Sequence, residues 1–146
     1  MTRTRVGLVG CTKSKRERAT AAKDLCDRSV LFRGARCTVE RTCERWFVLS
    51  AKHGLVRPEQ VLEPYDETLS TASREARRRW AERVLAQLEA ELGRDLSGYV
   101  FEAHAGSAYL DFGLVRGIEE RGGRVERPLD GLGLGRRLAF YRGHGC

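Results

Sequence analysis

Arg5-Val-Gly-Leu-Val-Gly10 is a short apolar, β-branched run ending on glycine, which reads as a buried strand followed by a tight turn. Three further segments have strand length: Trp46 to Ser50 (WFVLS), Tyr99 to Ala103 (YVFEA) and Arg124 to Arg127. Helical patterns lie between them. Val30, Leu31, Ala35 and Val39 recur at helical spacing from Ser29 to Cys43, with Ser29 placed to cap the amino end. Ser73 opens a second helix with Ala76 at its third position, and the stripe Trp80, Val84, Leu85, Leu88 and Leu92 carries it to Gly93. Tyr109 to Arg121, with Phe112, Val115 and Ile118 inward, predicts a third helix, and Gly135 to Tyr141 a fourth. Strands that alternate with helices pair in parallel, because parallel neighbours need crossover connections. The expected fold is α/β, a three-layer α/β/α sandwich with a mainly parallel four-stranded sheet.

The 146 residues suit one domain and can bury a core without metal or disulfide staples. No apolar run approaches the roughly 20 residues of a membrane span, and the amino terminus lacks the apolar core of a secretory signal. A cytoplasmic protein with no membrane partner is expected. Five cysteines, an odd number without an export signal, read as free thiols; none forms a CxxC pair, so no metal site is expected. The net charge of +7 favours anionic partners. Of the 27 basic residues only Lys13, Lys15, Lys23 and Lys52 are lysines, and three of these fall in two of the loops considered next.

Ligands of open parallel sheets bind beyond the carboxyl ends of the strands, so the residues after each strand carry the functional reading. After the first strand, Cys11, Thr12, Lys13 and Lys15 follow Gly10 as a candidate phosphate cradle without P-loop spacing. After the second come Ser50, Lys52, His53 and Gly54, then Pro64, Tyr65 and Asp66 at the end of the long segment Ala51 to Leu69. Asp66, taken as a buried carboxylate near Lys52, is the candidate for stabilising an oxocarbenium ion or activating water; alternatively it is a turn residue and Tyr65 a core aromatic. After the third, His104 and Gly106 stand at the start of the predicted helix, and Tyr109 lies one turn in. Asp66, Lys52 and His104 are the catalytic candidates, and the other named polar, aromatic and glycine positions are candidates for binding. Gly131 to Arg137 reads as a turn that leaves Arg136 and Arg137 available to an anion. Neither a GxGxxG nor a GxSxG motif occurs in a fitting place, and no cofactor is expected.

Val6 to Lys15, Leu49 to Leu55 through Glu63 to Leu69, His104 to Gly106 with Tyr109, and Pro128 to Leu132 together resemble a family of small bacterial and phage domains of unknown function. More distantly, the first two motifs are similar to the core domain of archaeosine synthase, and the Gly-Leu and Pro-Tyr pattern to the YaaA peroxide-stress proteins. The resemblance implies work on a nucleobase or nucleic acid and a Rossmann-like or uracil-DNA-glycosylase-like sheet. The expected function is an enzyme acting on a nucleobase or N-glycosidic bond of a nucleotide or nucleic acid. Two alternatives stand beside it: a non-catalytic nucleic-acid-binding stress module that uses the arginines near Arg77 and Arg78, and a nucleotide sensor.

Overall fold

The computed structural model describes residues 3–11 and 15–146; Thr12 and Lys13, both binding candidates, lie outside the described residues. The strand opened by RVGLVG, β1 (Thr4–Gly10), is followed by β2 (Thr20–Ala21), α1 (Ala22–Leu25) and α2 (Val30–Thr42). Next come β3 (Arg45–Ser50), β4 (Gly54–Val56), β5 (Val61–Leu62) and α3 (Arg74–Leu92). The chain ends with β6 (Tyr99–His104), α4 (Ser107–Leu110), α5 (Leu114–Glu120), β7 (Arg124–Glu126) and α6 (Leu134–Gly143). The main sheet has the order β4-β3-β1-β6-β7.

β1 pairs in parallel with both β3 and β6, and β6 with β7, so the four strands expected from the sequence form the parallel part of the sheet. A fifth strand corrects the expectation of four. β4 adds antiparallel to β3 through a tight hairpin in which Gly54 adopts φ 74°. The hairpin is held by the Ser50 hydroxyl, which accepts the His53 N–H at 3.0 Å. Only three residues long and followed closely by Pro58, this edge strand is too short for its alternation to show in the sequence. The segment expected as one long loop also holds β5, which pairs with β2 in a separate antiparallel ribbon.

Side chains alternate across β1. Val6 and Leu8 face a core built by Trp80, Val84, Leu85 and Leu88 of α3 with Leu114 and Ile118 of α5; Val9 faces Phe32, Ala35 and Val39 of α2 and Tyr141 of α6. Each fully buried Leu or Val contributes roughly 1.5–3 kcal/mol of transfer free energy. The caps of the two long helices follow the sequence reading: the Ser29 hydroxyl accepts from Phe32 N–H, and the Ser73 hydroxyl from Ala76 N–H. The helix expected over 109–121 is two short ones. Gly113, at φ 120°, breaks it, and Phe112 lies in the turn, where its ring lies 4.7 Å from the Arg77 guanidinium.

The cysteines correct a second expectation. Cys11 is bonded to Cys26 and Cys37 to Cys146, with Cα separations of 5.7 and 5.8 Å, leaving Cys43 with a thiol. Residues far apart in sequence meet at disulfide distance because Cys11 packs in one core cluster with Ala22, Leu25 and Cys26, and the carboxyl terminus lies against α2. Among the described residues no helix is long and apolar enough to cross a membrane, and no cluster of His, Cys, Asp and Glu could hold a metal ion.

Two outcomes test this packing. A Cβ at Gly7 would lie 2.6 Å from Val39 Cβ, so Gly7→Ala should cost about 1–3 kcal/mol in urea unfolding as α2 is pushed off the sheet. Burial pushes the Cys43 thiol up to about 12, so the native protein should resist alkylation at neutral pH. Unfolding without a reductant should then expose one thiol, that of Cys43, to mass-spectrometric labelling.

Candidate functional site

The connection from β1 runs through α2 to β3 on one side, while that from β6 runs through α4 and α5 to β7 on the other. The strands therefore part company between β1 and β6, where an open α/β sheet forms its ligand crevice. Here the backbones press together: a Cβ at Gly10 would lie 3.1 Å from Ala105 Cβ. A cavity of about 230 Å³ opens above this point, lined by Cys11, Phe32, His104, Gly106, Tyr109 and Arg137 among others. A second cavity, of about 270 Å³, is lined by Cys11, Lys15, Tyr65, Asp66, Glu67, Thr68 and Tyr109. The two share Cys11, Thr68 and Tyr109.

The second cavity carries the charges. Lys15 Nζ sits 4.5 Å from the centre of the Tyr65 ring. Burial lowers the Lys15 ammonium below its ordinary value, and the nearby Asp66 and Glu67 carboxylates oppose that shift. Asp66 itself is exposed at the rim, in contrast to the buried placement expected for it, and the charge it influences is that of Lys15. Lys52 is exposed and lines neither cavity; its carbonyl accepts from the Arg83 guanidinium at 2.8 Å. A short proline-punctuated loop places Asp66 over the β1 end, whereas Lys52 belongs to the hairpin at the sheet edge.

Behind Lys15 is a buried polar support. Ser50 Oγ donates to the Tyr65 hydroxyl at 2.7 Å while accepting from His53 N–H, and the His53 ring meets Tyr65 edge-on at 5.6 Å. Burial, then the charges of Lys52 and Arg83, lower the His53 imidazole. The indole of Trp80 donates to the Ser50 carbonyl at 2.8 Å and packs edge-on against Tyr109 at 5.3 Å. The Tyr109 hydroxyl donates to the Cys11 carbonyl at 3.0 Å, and burial pushes it up to about 12. Ser50, His53 and Gly54 thus shape the wall that presents Tyr65; Gly54 is packed against Gln87, whose amide oxygen accepts the Leu55 N–H at 2.8 Å.

His104 is turned inward. Its Nδ1 is 3.0 Å from the Tyr141 hydroxyl, and its buried Nε2 is 3.6 Å from Glu102 Oε1 without a hydrogen bond of its own. Burial by itself would raise the Glu102 carboxyl. The His104 ring, with hydrogen bonds from Thr42 Oγ1 at 2.6 Å and Cys43 Sγ at 3.1 Å, outweighs burial and holds it at about 2. Both ring nitrogens face protein groups, Nδ1 the Tyr141 hydroxyl and Nε2 the Glu102 carboxylate, although the residue itself borders the cavity. Glu102, Tyr141, Thr68 and Glu67 were not singled out from the sequence; a glutamate inside an otherwise apolar strand was the one available signal. The helix at His104-Ala-Gly106 is only four residues long, which removes the dipole argument made for an anion there.

The Glu102 shift predicts a pH dependence. Its folded value, about 2, lies below the ordinary 4.5, so its contribution to stability is complete above the ordinary value and disappears as pH falls towards 2. Glu102→Gln should flatten the stability–pH profile in that acidic window, as followed by urea midpoints.

No curated protein and no solved structure matches the chain at a significant level. The model of one family, described as a family of unknown function (DUF6884), matches residues 6–143, and the chain belongs to that family.

Proposed function

We propose that the chain is an enzyme acting on a nucleobase or on the N-glycosidic bond of a nucleotide or nucleic acid. The observation that carries this reading is the pair of adjoining cavities at the β1–β6 crevice, one apolar and aromatic, the other bearing Lys15, Asp66 and Glu67. A nucleotide divides the same way, into a planar ring and a hydroxylated, charged remainder. The ring lies in the apolar cavity beside Tyr109 and Phe32, and the sugar crosses the Thr68–Tyr109 junction. Asp66 then faces the anomeric carbon, where a carboxylate stabilises positive charge as the glycosidic bond lengthens or takes a proton from attacking water. Lys15 receives the phosphate side.

The resemblance of the first two motifs to archaeosine synthase, and of the Gly-Leu and Pro-Tyr pattern to YaaA proteins, favours nucleobase chemistry over other uses of such a pocket. A Rossmann-like or uracil-DNA-glycosylase-like ancestry of the sheet belongs to the same proposal, as does the cytoplasmic location. Lys52 and His104 take no direct part, the first because it lies outside both cavities and the second because its Nδ1 is held by the Tyr141 hydroxyl and its Nε2 is buried against Glu102. The binding-module alternative draws on the α3 arginines, yet Arg77 donates to the carbonyls of Leu69 and Ser70, and Arg79 pairs with Glu75.

Nucleosides, nucleotides and oligonucleotides incubated with the protein should show base release or modification. Asp66→Asn should reduce the rate by about 10²-fold or more while leaving the unfolding midpoint unchanged. A variant as active as the wild type removes Asp66 from the chemistry.

A further inference from the structure

Arg137 is half-buried without a described carboxylate partner, a state it shares with Arg77, whose guanidinium donates to the Leu69 and Ser70 carbonyls and which lines neither cavity. Arg5, Arg36, Arg121 and Arg127 each pair with a carboxylate at 2.6–2.8 Å. No described carboxylate pairs with Arg137; its Nε donates to the Leu132 carbonyl at 2.8 Å, and the residue is among those that line the apolar cavity. The Nε bond fixes the plane of the group and leaves the two terminal nitrogens, which can only donate.

Among the described residues no carboxylate lines the cavity, and its hydroxyls are already engaged. The Tyr109 hydroxyl is spent on the Cys11 carbonyl, that of Tyr141 is shared with His104, and those of Thr68 and Ser70 bond to each other at 2.9 Å. Hydroxyls can turn to either role, but the guanidinium cannot. A ligand edge that presents an amino group to Arg137 would set donor against donor, with both left unsatisfied.

Resting on the proposed function, we infer that Arg137 is a specificity-determining residue that reads an acceptor edge of the ring, so that the base taken is an oxo base rather than an amino base. An oxo group, alone or beside a ring nitrogen acceptor, satisfies the terminal nitrogens and disperses their charge in a cavity that otherwise leaves it uncompensated. The neighbouring cavity has the opposite bias: Asp66 and Glu67 accept, which suits sugar hydroxyls.

Two pairs of bases isolate the group that is read: hypoxanthine against adenine, and uracil against cytosine. Each is supplied as nucleoside, as 5′-monophosphate and within an oligonucleotide, and binding is followed by calorimetry with the wild type, Arg137→Gln, Arg137→Lys and Arg136→Gln. The wild type should bind the oxo member of a pair about tenfold or more tightly than the amino member. Arg137→Gln, whose amide both donates and accepts, should erase or reverse the preference; Arg137→Lys should retain part of it, and Arg136→Gln, at an exposed neighbour, all of it. Binding without preference, or a preference that survives Arg137→Gln, overturns the role of Arg137 and leaves the nucleobase reading intact. Failure of every compound to bind overturns both.

Discussion

Parallel pairing on both sides of β1 governs what the rest of the chain does. A strand bonded in parallel to β3 and to β6 cannot be reached by hairpins, so each neighbour arrives through a crossover, and the crossovers leave in opposite directions. The crevice above Gly10 and Ala105 is the space those departures create. Everything assigned to the site is measured from it: α2 and α6 wall one side, the segment from Tyr65 to Ser70 covers the top, and α4 supplies Tyr109.

The parallel strands and the two long helices were legible because burial imposes a period on them. Val30, Leu31, Ala35 and Val39 recur as a helix must, and Ser29 and Ser73 stand where caps are needed. What escaped the sequence is short or long-range. The three residues of β4 have no period to show, Gly113 inside an apolar pattern gives no sign of its φ, and the cysteine pairs are made by tertiary approach. In the site, loops placed after the right strands brought Cys11, Lys15, Tyr65, Asp66, Gly106 and Tyr109 around two adjoining cavities. Orientation was not available in the same way: nothing in LSAKHGL tells that the Lys52 side chain leaves the crevice while Ser50 enters the core.

Charge is sorted within a small volume. Carboxylates gather on the Lys15 side, and among the described residues the only charged side chain lining the apolar cavity is an arginine. Beneath them, Glu102 and His104 form a third layer that is closed to solvent and tied to the carboxyl end of α2 through Thr42 and Cys43. A buried carboxylate that keeps its charge constrains its surroundings, because each donor must stay in place for the ion to be tolerated. His104 of this layer and the Tyr141 it contacts both border the apolar cavity.

That tyrosine rests against a residue with no side chain. A Cβ built at Gly34 of α2 would lie 2.5 Å from the Tyr141 ring, so the aromatic plane seats directly on the helix backbone. The terminal helix is therefore keyed into its neighbour at one spot, and the angle of that seat sets where Arg137, one turn earlier, projects. The placement of Arg137, and with it the recognition role proposed for that residue, thus depends on a position without a side chain more than a hundred residues upstream.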